Sequence, residues 1–245
     1  MDSSTARSPA NQARGQLRKQ LSDTRKRVTF WLAMRRFKRG LSSDAQNFDP
    51  QVLTDLVYGW GNSWSAQLEY LVATLEHVRD AKGPVLECGS GLSTILIGAV
   101  AQARGVEVLT LEHEPKYAAR VRDYLDKYDI RSVNLFVAPL KSYGDFDWYQ
   151  VPRLDSITEK FSVVICDGPP GATRGGRYGL VPVMLEKLNQ DCTILLDDGA
   201  RAEEQSIAAR WAPTLSSTGE ILGKQKPFIR LKVGSAGVGG LPRQA

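Results

Sequence analysis

The chain is poor in the residues that build metal and disulfide frameworks. Its 245 residues include three cysteines, Cys88, Cys166 and Cys192, and two histidines, His77 and His113. The cysteines are odd in number and widely spaced, each within or at the end of an apolar run. That is the usage of a reducing, cytoplasmic compartment and not of a disulfide scaffold. With no CxxC pair and no HExxH, a Cys/His zinc site has no ligands. Long apolar runs are missing too. The longest in the basic N-terminal region, residues 28–34 with Thr29 inside it, falls far short of the ~20 residues that span a bilayer. What remains is ordinary globular composition, 42% hydrophobic and 24% charged, in a length that supports one good core without staples.

Acidic residues are scarce in one place only. Residues 1–40 hold 11 of the 32 Lys and Arg but 2 of the 27 Asp and Glu, so this stretch carries +9 and the remaining 205 residues carry −4. The basicity belongs to a tail. A mildly acidic body argues against a nucleic-acid-binding face spread over the main domain. Within residues 12–41, Leu17, Leu21, Val28 and Leu32 form one apolar series, and Phe30, Met34, Phe37 and Leu41 form another. Both spacings suit a helix with a basic flank. Three readings stay open: a peripheral helix on anionic lipid with Trp31 and Phe37 inserted, a solvated basic tail, and an organellar transit peptide.

The organisation expected is a basic N-terminal extension at 1–41, a helical pre-domain segment at 42–83, a main domain at 84–233 and a Gly-rich disordered tail at 234–245. In the pre-domain segment Ser63 is a candidate helix N-cap, and Trp60, Asn62 and Trp64 could line a lid or simply pack in a core. From residue 84 short apolar strands alternate with amphipathic helices. Strands are expected at 84–87, 107–111, 133–137, 162–166, 193–196, 219–222 and 228–233. Helices are expected at 92–103, 115–128, from about 178, and at 202–211. Runs such as Val-Val-Ile-Cys and Thr-Ile-Leu-Leu are apolar on both faces, as in a parallel sheet covered by helices on both sides. The fold class is therefore α/β, doubly wound, with ligands expected beyond the carboxyl ends of the strands.

The first strand runs through Glu87-Cys88-Gly89-Ser90-Gly91-Leu92-Ser93-Thr94 into a helix. Gly89 and Gly91 permit a tight turn, and the free N–H groups of the helix face an anionic ligand group. Glu87, two residues before the first glycine, suits a ligand's ammonium and would repel a pyrophosphate. Glu112 closes the second strand 21 residues after Gly91, the spacing of a carboxylate that holds ribose hydroxyls. Together these residues resemble the S-adenosylmethionine site of class I methyltransferases, and the resemblance extends over about residues 60–233. Ser93 stands where the commonest pattern has a third glycine, which is compatible with the O-methyltransferase branch. The resemblance implies a seven-stranded, mostly parallel Rossmann-like sheet with an antiparallel last strand. It also implies S-adenosyl-L-methionine held by Glu87, Gly89, Gly91, Ser93 and Glu112, with Asp167 alongside, and an adenine near Ala138 and Leu140.

Asp167 ends the fourth strand, and Asp197 and Asp198 end the fifth. Oxygen acceptors must lose a proton near the sulfonium, to a base or with the help of a cation. The trio resembles the acidic set that holds Mg²⁺ in metal-dependent small-molecule O-methyltransferases, except that Asp198 replaces the usual amide. A metal site, a metal-free base at Asp167 and a structural cluster, with one aspartate on Arg201, all stay open. Asp167-Gly168-Pro169-Pro170 departs from the Asp/Asn-Pro-Pro-aromatic motif of amino-methyltransferases by an inserted glycine and by Gly171 in the aromatic's place. N-methylation of a flipped base is thereby disfavoured. Arg174 and Arg177 could clamp an acceptor anion or be loop charges. The expected activity is O-methylation of a small-molecule, sugar or amphiphilic acceptor. The competing readings are a polyamine-synthase-like enzyme, a nicotinamide-dependent oxidoreductase and a non-catalytic module acting through its tail.

Overall fold

The computed structural model describes residues 9–42, 48–61, 68–151 and 159–234. Ser63, Asn62, Trp64 and the tail beyond Gly234 lie outside the described residues. The chain divides into two compact units, Met1–Ser65 and Ala66–Ala245.

The first unit pairs helix α1 (Pro9–Leu41) with α2 (Pro50–Trp60). Asp49 caps α2 by accepting from the Gln51 N–H, Pro50 starts the helix, and Gly61 ends it at φ +70. The helices approach closely where α2 has no side chain. A Cβ at Gly59 would lie 2.7 Å from that of Phe30. Trp60 is buried with its ring 6.1 Å from Phe30, so it serves the core and offers no stacking surface to a ligand.

The second unit begins with α3 (Leu68–Arg79) and continues as β1 (Val85–Cys88), α4 (Leu92–Arg104), β2 (Val108–Glu112), α5 (Pro115–Lys127) and β3 (Val133–Val137). A hairpin follows, β4 (Leu140–Ser142) and β5 (Asp147–Tyr149), and then β6 (Phe161–Cys166), a short α6 (Leu180–Met184) and β7 (Leu188–Leu196). Helix α7 (Ala202–Leu215) and strands β8 (Glu220–Leu222) and β9 (Phe228–Lys232) complete it. Seven strands form one sheet in the order β3-β2-β1-β6-β7-β9-β8, parallel except for the antiparallel β7–β9 and β8–β9 pairs. This is the doubly wound, mostly parallel sheet expected, with its antiparallel last strand.

Every residue of β1 is buried, and so is the run from Leu92 to Ala101 in α4. A helix apolar all round must be covered all round, and α4 contacts β2, α3 and α5. The chain reverses its direction of winding between β1 and β6, which are paired with Cys88 opposite Cys166. The crevice at that switch lies beyond the strand ends, where Gly89 and Asp167 follow.

Three local expectations are corrected. Between the strands expected at 133–137 and 162–166, where no strand is expected, the chain forms the β4–β5 hairpin, whose three-residue strands are too short to show alternation. The helix expected from about 178 starts at Leu180, and residues 171–179 stay a turn-rich loop. Strand β7 starts at Leu188, five residues early, through the polar Asn189, Gln190 and Asp191, with a register shift opposite Phe161 and Val163.

Candidate active site

The turn after β1 is set by contacts between backbones. Gly89 has φ +90, and a Cβ there would lie 3.0 Å from the Gly168 nitrogen. The N–H groups of Asp167 and Gly168 both donate to the Cys88 carbonyl, at 3.0 and 2.7 Å. The loops after β1 and β6 are thus drawn together, and only glycine fits between them. Gly91 caps α4, its N–H donating to Thr94 Oγ1 at 2.8 Å.

Glu87 lies wholly buried beneath this turn. Its Oε1 accepts from the Ser93 hydroxyl at 2.7 Å, and its Oε2 accepts from the hydroxyl of Thr110, its register partner on β2, at 2.9 Å. Ser93 therefore steadies Glu87, which gives a physical role to the residue that replaces glycine. Burial pushes the Glu87 carboxyl up to about 7 against the pull of these hydroxyls.

Glu112 sits at the tip of β2 and is 4% exposed. Its Oε2 accepts from the N–H and the hydroxyl of Ser90, at 2.9 and 2.7 Å, and its Oε1 accepts from the Glu114 N–H at 2.8 Å. The carboxylate is held across the mouth of the glycine turn, so Glu87, Gly89, Gly91, Ser93 and Glu112 form one constellation. Ala138, buried after β3, donates its N–H to the Glu112 carbonyl.

The pairing of β6 with β7, Cys166 opposite Leu196, sets Asp167 beside Asp197 and Asp198. One carboxylate oxygen from each lies within 4.8 Å of the others. Two cations stand among them. Arg177, 3% exposed, donates to the backbone carbonyls of Asp167 and Asp197, both at 2.8 Å, and to the carboxylates of Asp167 and Asp198 at 3.1 and 3.0 Å. Lys226 Nζ donates to Asp197 Oδ2 at 2.8 Å and lies 3.0 Å from Asp198 Oδ1. Arg201 also meets Asp198 at 3.0 Å. Burial works against the charge of Asp198, but Arg177 and Lys226 outweigh it and hold the carboxyl below its ordinary range. Asp167, whose side chain is 31% exposed, is instead pushed upward by desolvation and by the Asp197 charge, with Arg177 and Lys226 pulling back.

A resident Mg²⁺ fits this donor set poorly. The ion needs free carboxylate lone pairs in near-octahedral geometry at about 2.0–2.1 Å. Here each aspartate already gives an oxygen to an arginine or lysine, and an ammonium stands between Asp197 and Asp198. Arg177 is neither a clamp at the rim nor a solvated loop charge but a buried hub for three strand-end residues. Arg174 braces the β4–β5 hairpin through Asp147 and the Ser142 hydroxyl, both at 2.6 Å.

Two residues escaped the sequence reading. Lys226 precedes β9 in a Lys-Gln-Lys-Pro stretch with no motif around it. Tyr149, on the hairpin, is buried with its hydroxyl against Gly168, and that hydroxyl has no hydrogen-bond partner among the described residues. Asp197 Oδ1 is also buried without one.

No protein-family model and no curated protein matches the chain. Solved structures do match in fold. A caffeoyl-CoA O-methyltransferase candidate from Staphylococcus aureus superposes with a TM-score of 0.54 at 12% identity, over 77% of this chain and 94% of that one. The methyltransferase PaMTH1 of Podospora anserina, solved with SAH bound, gives 0.52 at 17% identity over 83% and 88%. The O-methyltransferase TomG of Streptomyces achromogenes, involved in tomaymycin synthesis and solved with SAM, gives 0.50 at 17% identity over 80% and 90%. The chain has the Rossmann-like fold of S-adenosylmethionine-dependent methyltransferases.

Proposed function

We propose that the protein is an S-adenosylmethionine-dependent methyltransferase that methylates an oxygen of a small-molecule, sugar or amphiphilic acceptor. The observation that carries this reading is the turn after β1, with two glycines at a backbone-to-backbone approach, buried Glu87 beneath it and Glu112 fixed across its mouth. The fold neighbours solved with SAM or SAH support it.

The donor supplies a methyl group on a positively charged sulfur. Glu112 accepts hydrogen bonds from its ribose hydroxyls, the α4 amides face its carboxylate, and the Glu87 charge offsets its ammonium from below. Ala138 and Leu140 border the adenine with apolar and backbone groups. Methylation at oxygen forms an O–C bond as the C–S bond breaks, and the acceptor's hydroxyl proton must leave. Asp167 takes that proton, since its raised affinity suits a base working near neutral pH. Asp197, held by Lys226 beneath the surface, supplies the neighbouring negative charge that raises the proton affinity of Asp167. No step passes through a metal: Lys226 and Arg177 already supply positive charge at the trio.

Thermal unfolding tests the reading with SAM, SAH and NAD in turn, each with Mg²⁺ and with EDTA. A ligand at 100 times its Kd adds about 2.7 kcal/mol, a shift of several degrees. The expected result is stabilisation by the two adenosyl ligands alone, lost in Glu112→Ala and unchanged by Mg²⁺. A folded protein indifferent to both adenosyl ligands overturns the proposal. A Mg²⁺ increment that disappears in Asp197→Ala overturns the metal-free mechanism.

A further inference from the structure

Helix α1 carries two apolar series, and the structure sends them in opposite directions. Phe30, Ala33, Met34 and Phe37 are buried, with Phe30 against Gly59 and the Phe37 ring stacked 6.0 Å from Phe48. Phe37 is therefore withdrawn from the inserting role that the sequence offered it. Leu21, Val28 and Leu32 are 63%, 51% and 49% exposed, and Trp31 beside them is 43% exposed. At about 100° per residue the three aliphatic side chains fall within roughly 40° of one another, on the side away from Phe30 and Phe37.

Charge is arranged around this outer stripe. Arg18, Arg25 and Arg36 follow it on one flank, and all are exposed. On the other flank the Arg35 guanidinium lies 4.8 Å over the Trp31 ring. Asp23, the one acidic residue of α1, falls on the opposite side. A nucleic-acid surface would place cations at the centre of the stripe. From Leu21 to Leu32 aliphatic groups hold the centre and guanidinium groups the margins, with a tryptophan at the boundary, and the exposed Arg39 continues the central line about two turns further on. That order matches a lipid surface, where acyl chains lie below a layer of phosphate. No helix among the described residues is long and apolar enough to cross a membrane.

We propose that the outer face of α1 is a docking surface for anionic phospholipid bilayers, with the helix lying in the headgroup plane. Leu21, Val28, Leu32 and Trp31 enter the acyl boundary while the flanking arginines pair with phosphates. Between Leu21 and Arg39 the helix is about 27 Å long at 1.5 Å per residue, enough to engage many headgroups at once. This inference is independent of the chemistry proposed for the second unit.

Sedimentation of the full-length protein with vesicles tests it, using phosphatidylcholine alone against a mixture about one-third phosphatidylglycerol. The anionic vesicles should bind at least tenfold more protein, and raised salt should weaken the binding. The triple variant L21E/V28E/L32E should lose this binding while keeping the wild-type Tm, because the substituted side chains are exposed. D23N should retain it. Trp31→Phe should remove the blue shift of tryptophan emission that binding produces. Equal binding to both vesicles, or none, overturns the proposal. So does binding that the triple variant retains and a short RNA duplex abolishes, which would make the face a nucleic-acid surface. A wild-type dimer that the triple variant converts to monomer, without vesicle binding by either, assigns the stripe to self-association and overturns it equally.

Discussion

Arg177 and Arg174 lie three positions apart in one loop and have opposite meanings. Arg177 is enclosed, and its fork joins the ends of β6 and β7; Arg174 is a half-exposed pair with Asp147. Removing a buried partner leaves carboxylates uncompensated, a loss of about 3–5 kcal/mol, whereas an exposed pair contributes under about 1 kcal/mol. Arg177→Leu should therefore lower the urea midpoint severely, and Arg174→Ala should barely move it; similar effects from both would refute this assignment. Sequence cannot separate the two, because both are arginines among glycines and only burial distinguishes them. Glu87 and Glu112 were legible for the converse reason, since strand-end position and spacing to the glycines are local properties. Lys226 was not legible, because it reaches Asp197 from 29 positions away.

At the scale of elements, the central strands announce themselves by being apolar on both faces, and the helices by their period. The β4–β5 hairpin does not, yet it is deeply committed: Trp148 and Tyr149 are wholly buried. The 171–179 loop is moulded onto it. A Cβ at Gly179 would lie 2.7 Å from the Trp148 Cβ and Cγ, and Trp211 Nε1 donates to the Tyr178 carbonyl at 2.9 Å. Gly179→Ala should thus overpack this junction and cost about 1–3 kcal/mol, seen as a Tm lower by several degrees. An unchanged Tm would mean that the loop and the hairpin part easily. Only the folded junction reveals why a loop without regular structure has fixed geometry.

For the molecule as a whole, pH is the lever. The folded state raises Glu87 from 4.5 to about 7, so it binds this proton more tightly than the unfolded chain does. Its contribution is fully present below the unfolded value and is lost as pH rises through about 7. Ligand-free protein should accordingly lose stability between roughly pH 4.5 and 7, and Glu87→Gln should flatten that part of the curve. Chemical denaturation across the range decides it, and identical slopes in wild type and variant would contradict the assignment. That the residues around the glycine turn would lie together, and the three aspartates with one another, could be read in advance because each grouping depends on strand ends. The charge balance of the trio could not, because it depends on the order in which strands lie side by side. That order also governs synthesis. Strand β9 is made after every other strand of the sheet, yet it lies inside, between β7 and β8. Until the ribosome has released it, β7 presents a bare apolar edge and Asp197 and Asp198 lack Lys226. A nascent chain therefore keeps an unpaired apolar edge, open to aggregation, until its last strands are made.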